Sequence, residues 1–245
     1  MFKALLFMGG LFCCQSGFSM EEKSPHNERI ETYHKVSSEI ENLSSEEIRT
    51  LIQKGQKIPF SSVTLIEIKG TPVIVKKLSL KEIEKNYINE KEIKSENLSE
   101  IFPLSSHPEA TLKKFRALRE VYSQEMMTDW VFNEQCENFP LMYKTRLEII
   151  PEKPYEFLVF MEYIPLSLRE WLDQKWEEWS EKNFEGNKID IVLKRVEQTL
   201  LETIEFMNSK RMYHLDLHFD NIRTDEQKIF LIDFGGALSR FCVQN

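Results

Sequence analysis

Glycine is scarce in this 245-residue chain, at 8 residues against 17 Phe, and no Gly-x-Gly-x-x-Gly run occurs anywhere in it. A loop that wraps bare backbone amides around a phosphate is therefore not written into the sequence. The 9 Pro are equally few, which with the low glycine excludes a fibrous or low-complexity chain. Of the 4 Cys, Cys13 and Cys14 lie in an apolar run, while Cys136 and Cys242 are too far apart to form a disulfide framework and read as free buried thiols. Positive charge is in deficit: 32 Lys and Arg face 40 Asp and Glu, a net −8. That balance gives no reason to expect nucleic-acid binding. Nucleotide phosphates remain open to it, because a metal ion and a few placed lysines suffice to neutralise them.

What is present suits a folded domain. The chain is 41% hydrophobic, with 4 Trp, and its length fits one domain or two small lobes sharing a cleft. Met1-Phe2-Lys3 is a short basic start, and Ala4 to Cys14 is an apolar run too short to span a bilayer comfortably. Small residues at Gly17 and Ser19 then suit a cleavage site before Met20, so residues 1–19 read as a secretory signal. The alternatives are a buried N-terminal helix or a membrane anchor. Phe12 before Cys13-Cys14 is too large for a lipoprotein site.

Residues 20 to about 54 read as an N-terminal helical extension, charged and polar as far as about residue 42. Ile30, Tyr33, Val36 and Ile40 show weak helical spacing. Leu43-Ser44-Ser45-Glu46-Glu47-Ile48 marks a firm helix start, with Ser44 as cap, Glu47 closing the capping box and Leu43 stapled to Ile48. Gly55 should end that helix. From Pro59 the pattern turns strand-like, with Val63, Leu65, Ile66 and Ile68, a Lys69-Gly70-Thr71 turn, and Val73 to Lys76 returning. Residues 81 to 107 read as a polar insertion. A helix is expected over about Glu109 to Asn133, with Leu112, Phe115, Leu118, Tyr122 and Met126 on one face. Leu158 to Met161 fits a fully buried strand. Leu168, Trp171, Leu172 and Trp176 fit one helix, and Leu193, Val196, Leu200, Ile204 and Met207 another. Short strands should follow near Asn221-Ile222 and over Ile229 to Ile232, the second delivering Asp233.

Three of these residues suit phosphoryl transfer, which needs charge neutralisation, metal positioning and an oriented hydroxyl. Asp216 follows a long apolar helix, on a loop where its carboxylate can accept the proton of an attacking hydroxyl. Asn221 offers an amide oxygen five positions later, and Asp233 a carboxylate across a short hairpin. Two oxygen donors with open positions suit Mg²⁺.

His214-Leu215-Asp216-Leu217-His218-Phe219-Asp220-Asn221 resembles the catalytic loop of protein kinases, and Asp233-Phe234-Gly235 their metal-binding motif. Val73-Ile74-Val75-Lys76 resembles the strand whose lysine holds the α- and β-phosphates; Glu120 is the first candidate for the partner of Lys76, and Glu125 the second. Leu158 to Tyr163 resembles the strand entering the interlobe hinge, with Met161 as gatekeeper and Glu162-Tyr163 at the adenine edge. The likeness runs in order over about residues 55 to 240. It implies a two-lobed α+β protein-kinase-like fold, with a small β-rich lobe over about 55–161 and an abbreviated helical lobe over about 165–245. It further implies ATP and Mg²⁺ as cofactors, with Asp216, Lys76, Glu120 and His218 as catalytic residues and Lys76, Met161, Glu162, Tyr163, Val63 and Ile74 around the nucleotide. Asn221 and Asp233 would hold the metal. His214 reads as a brace for the loop, and His218 as either a phosphate contact or loop packing.

The sequence also departs from that pattern. Pro59-Phe60-Ser61-Ser62 carries no glycine, Ile74 stands where Ala is usual, Arg223 where an apolar floor is usual, and Leu215 where Arg is usual. Few residues follow Gly235, so the segments that hold a peptide substrate in protein kinases are missing. The expected function is ATP- and Mg²⁺-dependent phosphorylation of a hydroxyl, on protein Ser or Thr. The alternatives are a pseudokinase acting as a scaffold, and a small-molecule kinase of the aminoglycoside or choline type, whose loop Asp216-Leu217-His218 also resembles. A secreted chain of this kind makes sense if delivered to a host cytosol, where ATP is abundant.

Overall fold

The computed structural model describes residues 24–58, 62–80, 116–149, 155–181 and 186–239. The expected signal at 1–19, the Pro59–Ser61 stretch, the insertion at 81–107, Leu112 and Phe115, and Cys242 lie outside the described residues. The fold is mixed α+β, with an antiparallel five-stranded sheet and five α-helices among the described residues.

Two helices precede the sheet, α1 (Pro25–Asn42) and α2 (Ser45–Lys54). Ser24 caps α1 by accepting from Asn27 N–H, with Pro25 at the first helical position. At α2 the expected capping box is complete: Ser44 Oγ accepts from Glu47 N–H at 3.2 Å and the Glu47 carboxylate accepts from Ser44 N–H at 2.8 Å. Gly55 is the C-terminal cap. The polar stretch that showed only weak spacing is thus a full helix. Its fully buried Val36 and Ile40 join Ile48 and Ile52 of α2 against one face of the sheet.

The sheet order is β1 (Gln56–Lys57), β2 (Val63–Ile68), β3 (Thr71–Ser79), β5 (Glu156–Glu162), β4 (Met142–Glu148). Lys69 and Gly70, both at positive φ, close a two-residue hairpin between β2 and β3. Side chains alternate across each strand. Val73, Val75, Leu158 and Phe160 therefore meet α1 and α2, while Ile74 and Lys76 turn to the opposite face. On that side α3 (Arg116–Phe132) packs Ala117, Leu118 and Val121 against Phe157 and Val159.

Of the expected stripe on α3, Leu118 is buried but the rest of the described part is displaced. Tyr122 and Met126 are only half buried, whereas Val121, Gln124, Met127, Thr128 and Val131 are buried. The helix is wedged between the sheet and a second core, so polar residues go inside it too. Gln124 donates to Pro140 O at 2.7 Å, and Thr128 Oγ accepts from Met142 N–H at 2.9 Å.

The second core gathers Met127, Val131, Phe139 and Leu141 with residues of the following elements: Leu168 and Trp171 of α4 (Leu168–Glu181), Met207 of α5 (Gly186–Ser209), and Ile222, Leu231 and Phe234. Trp176 was expected on the inner face of α4 but is 62% exposed, and Trp179 is buried instead. Residues 168, 171 and 179 keep to one stripe at 3.6 residues per turn, and 176 falls at its edge. Leu193 is likewise exposed on α5, where Val192 packs inward.

The region around residues 212–239 is built from short strands. β6 (Leu166–Ser167), β8 (Ile222–Thr224) and β9 (Ile229–Leu231) form one small sheet, and β7 (Met212–Tyr213) pairs with β10 (Leu238–Ser239). The 214–221 segment leaves β7, and β9 leads directly to Ile232-Asp233. The two motifs are therefore held side by side. Cys136 is a free, half-buried thiol, as expected. Among the described residues no helix is long and apolar enough to cross a membrane.

Candidate functional site

Lys76 points from β3 towards α3 because it shares a strand face with Ile74. Its ammonium is bonded to the Glu120 carboxylate and sits 3.0 Å from Asp233 Oδ1. Three residues far apart in sequence thus meet at one charge cluster. Burial works to lower the Lys76 pKa, but Glu120 and Asp233 outweigh it and hold the lysine above its ordinary value. Burial also drives Glu120 upward, against the pull of Lys76. Asp233 is less enclosed; burial raises it, but Lys76, Gly235 N–H and Arg116 together bring it below the usual carboxylate value. Lys76 is thus held as a cation and Asp233 as an anion. Glu125 is not part of this cluster.

Asp233 is held in a left-handed conformation at φ 61 and ψ 71, sparsely populated for a residue with a Cβ. Its neighbours hold it there. Phe234 is 1% exposed, packed near Phe139 and with its ring centroid 5.1 Å from that of His214. Gly235 N–H reaches back to Asp233 Oδ1 at 3.4 Å, and Arg119 donates to Gly235 O at 2.8 Å. A Cβ on Gly235 would stand 2.8 Å from Glu120 Oε2, so any side chain there would press on the carboxylate that holds Lys76.

The loop before it is braced from behind. His214 Nε2 lies 2.8 Å from Ile232 O, its Nδ1 is buried without a partner, and burial lowers its pKa. A neutral imidazole donating from Nε2 satisfies all three, and this is the bracing role expected of it. Asn221 donates its side-chain N–H to Asp216 O at 2.9 Å, and Ile232 N–H donates to Asn221 O at 3.0 Å. Those bonds tie Asp216, Asn221 and Asp233 into one unit. They also leave Asn221 Oδ1 as the amide atom free for a ligand, since no hydrogen bond to it occurs among the described residues. Asp216 is exposed, with its Cβ 3.3 Å from where a Cβ on Gly236 would lie. His218 Nδ1 accepts from Asp220 N–H at 3.3 Å and caps a 3₁₀ turn over Phe219–Asn221. That is a loop-packing contact made through Nδ1.

Lys76, Glu120 and Asp233 form one wall of a cavity of about 210 Å³. Val63, Ile74, Met161, Glu162 and Tyr163, all singled out from sequence, line it as well, together with Ile58, Gln124, Pro140, Ile164, Arg223 and Phe234. Asp216, His218 and Asn221 are not among the lining residues. Arg223, in the lining, donates to Pro165 O at 3.2 Å. Glu162 is in the wall, but its carboxylate is turned away to Arg29 of α1, a partner that no motif announces. Among the described residues no trio of His, Cys, Asp or Glu is gathered to hold a metal. Asn221 and Asp233 are neighbours through the Ile232 N–H bond to Asn221 O, and both carry the oxygen type that Mg²⁺ takes, usually one or two protein oxygens plus phosphates and waters.

No family model matches this sequence, and no curated protein matches it significantly. What the site can do has to be taken from its own geometry.

Proposed function

We propose that the chain is an ATP- and Mg²⁺-dependent phosphotransferase acting on a hydroxyl, most simply that of a protein Ser or Thr. We further propose that its two cores correspond to the two lobes of a kinase-like fold, with the cavity as the nucleotide cleft between them. One observation carries this reading: a lysine from a central strand, a helix carboxylate and the Asp of Asp233-Phe234-Gly235 converge on the wall of a mostly apolar cavity.

In this reading Lys76 receives the phosphates and Glu120 fixes its position. Asn221 and Asp233 hold Mg²⁺, which when bound neutralises charge on the phosphates. The exposed Asp216 carboxylate orients the acceptor hydroxyl and takes its proton. His218 Nε2 is free to contact a phosphate, while the apolar walls Val63, Ile74 and Met161 take the base. Export through residues 1–19 and delivery to an ATP-rich host cytosol remain part of the proposal.

A scaffold reading without catalysis is favoured by the small cavity and by Lys76 being already bonded to Asp233. Calorimetric titration of the purified chain with Mg-ATP, beside Lys76→Ala and Asp233→Ala, separates the two. The phosphotransferase reading expects binding that weakens at least about tenfold in both variants, a loss of about 1.4 kcal/mol. A folded wild-type chain that binds no nucleotide sinks it and leaves the scaffold. If binding holds, transfer to peptides against small alcohols then distinguishes a protein kinase from a small-molecule kinase.

A further inference from the structure

Arg29 lies on α1, outside every segment marked by a motif, and its side chain is only 11% exposed. Its Nε donates to both oxygens of Glu162, at 2.8 and 3.1 Å, and its Nη2 to Oε2 at 2.6 Å. The remaining donors reach backbone carbonyls: Nη1 that of Glu137 at 3.1 Å, and Nη2 that of Phe139. The guanidinium carbon lies 5.1 Å from the ring centre of Phe230 on β9. One side chain thus gathers the end of β5, the 137–139 link into β4, and the strand that leads to Asp233. Glu162 completes the arrangement by accepting from Leu141 N–H at 2.9 Å while its own N–H donates to Leu141 O at 2.8 Å.

Glu162 is also part of the cavity wall, which runs from Met161 through Tyr163 and Ile164. With both its N–H and its carboxylate engaged, this residue has little freedom of position. The planar fork of arginine suits the task, because it holds a carboxylate in plane by parallel bonds; a lysine offers only a point charge. Glu162 pairs with Val73 on β3. That is three residues from Lys76, or roughly 10 Å along the strand. The wall set by Arg29 is therefore the end of the cavity remote from the charge cluster.

We propose that Arg29 is a positioning residue for the Glu162–Ile164 wall, and through it for the base of a bound nucleotide, so that α1 is part of the binding site. This rests on the nucleotide reading above. Its signature is a defect independent of the phosphates. The test is calorimetric titration of the full chain with adenosine and with Mg-ATP, in wild type, Arg29→Gln, Arg29→Lys and Lys76→Ala. Arg29→Gln weakens both ligands by the same factor, roughly tenfold or more, and Arg29→Lys also weakens both equally. Lys76→Ala weakens Mg-ATP and spares adenosine. Should Arg29→Gln fail to fold, Arg29→Lys carries the test, since it keeps the buried charge and removes only the fork. Arg29 variants that melt lower but bind adenosine with wild-type affinity overturn the proposal while the nucleotide reading stands. A wild type that binds neither ligand removes both.

Discussion

Replacing Lys76 with alanine removes the cation bonded to Glu120 and Asp233, and the effect on stability can be worked from the burial of its partners. Glu120 is 7% exposed. Deleting one member of a buried ion pair costs about 3–5 kcal/mol when the other must stay charged. A carboxylate can escape part of that by taking up a proton, and burial already pushes Glu120 upward. The loss should therefore fall at the lower end, about 3 kcal/mol at neutral pH, which moves a urea midpoint by about 1–2 M. Without its lysine, Glu120 keeps its proton to higher pH in the folded protein than in the unfolded chain, where a Glu ionises near about 4.3. Above that value the folded state binds more protons, so stability falls as pH rises. The deficit relative to wild type is thus small near pH 5 and grows towards pH 7.5. Glu120→Gln costs less, about 1–2 kcal/mol, because Lys76 retains Asp233 at 3.0 Å. Urea unfolding of both variants at the two pH values, followed by circular dichroism, measures all of this. Equal displacement of Lys76→Ala at both pH values, or a larger loss in Glu120→Gln, would refute the reasoning.

Gly235→Ala drives a methyl against Glu120 Oε2 at 2.8 Å, so Mg-ATP titration should show weakened binding with the fold retained; unchanged affinity would mean that the carboxylate yields freely. Glu125 is pushed up to about 7, chiefly by burial with Asp129 adding to it. Its stabilising contribution is complete below its unfolded value and is lost as pH rises through 7, so Glu125→Gln should gain about 2–3 kcal/mol over wild type at pH 8 and little at pH 4. Urea midpoints at those two pH values check it. Ser44→Ala removes the capping box of α2 and should cost about 1 kcal/mol, a fall of about 2–4 °C in a thermal scan.

Much of this was legible in the sequence wherever the cause is local in the chain. The Ser44–Glu47 box, the Lys69-Gly70 hairpin and the alternation that turns Lys76 away from Val75 depend only on near neighbours. The Asp233-Phe234-Gly235 turn was legible for the same reason, since its glycine and buried Phe lie within two residues of the strained Asp. Glu120 could be singled out but not separated from Glu125, because choosing between them needs the rotation of α3 against a sheet that is distant in sequence. Tyr122 and Met126 were misplaced on the same account: a helix buried on several sides has no single apolar stripe to read. Trp176 looked interior because tryptophan is apolar, yet only the stripe angle of α4 decides that Trp179 goes inside. Arg29 left no trace at all. It sits in a polar stretch, and its partner Glu162 is 133 residues away.

That separation also bears on how the chain is made. A ribosome adding about 5–20 residues per second needs on the order of ten seconds to pass from Arg29 to Glu162. During that interval the apolar faces of α1 and α2 have no β5 to cover them, and the arginine has no carboxylate to meet. These helices can dock early on Ile66, Ile68, Val73 and Val75 of β2 and β3, but the Leu158 and Phe160 side of their core waits for β5. A nascent chain halted before Glu162 holds the N-terminal pieces of the fold without the carboxylate that completes the Arg29 arrangement.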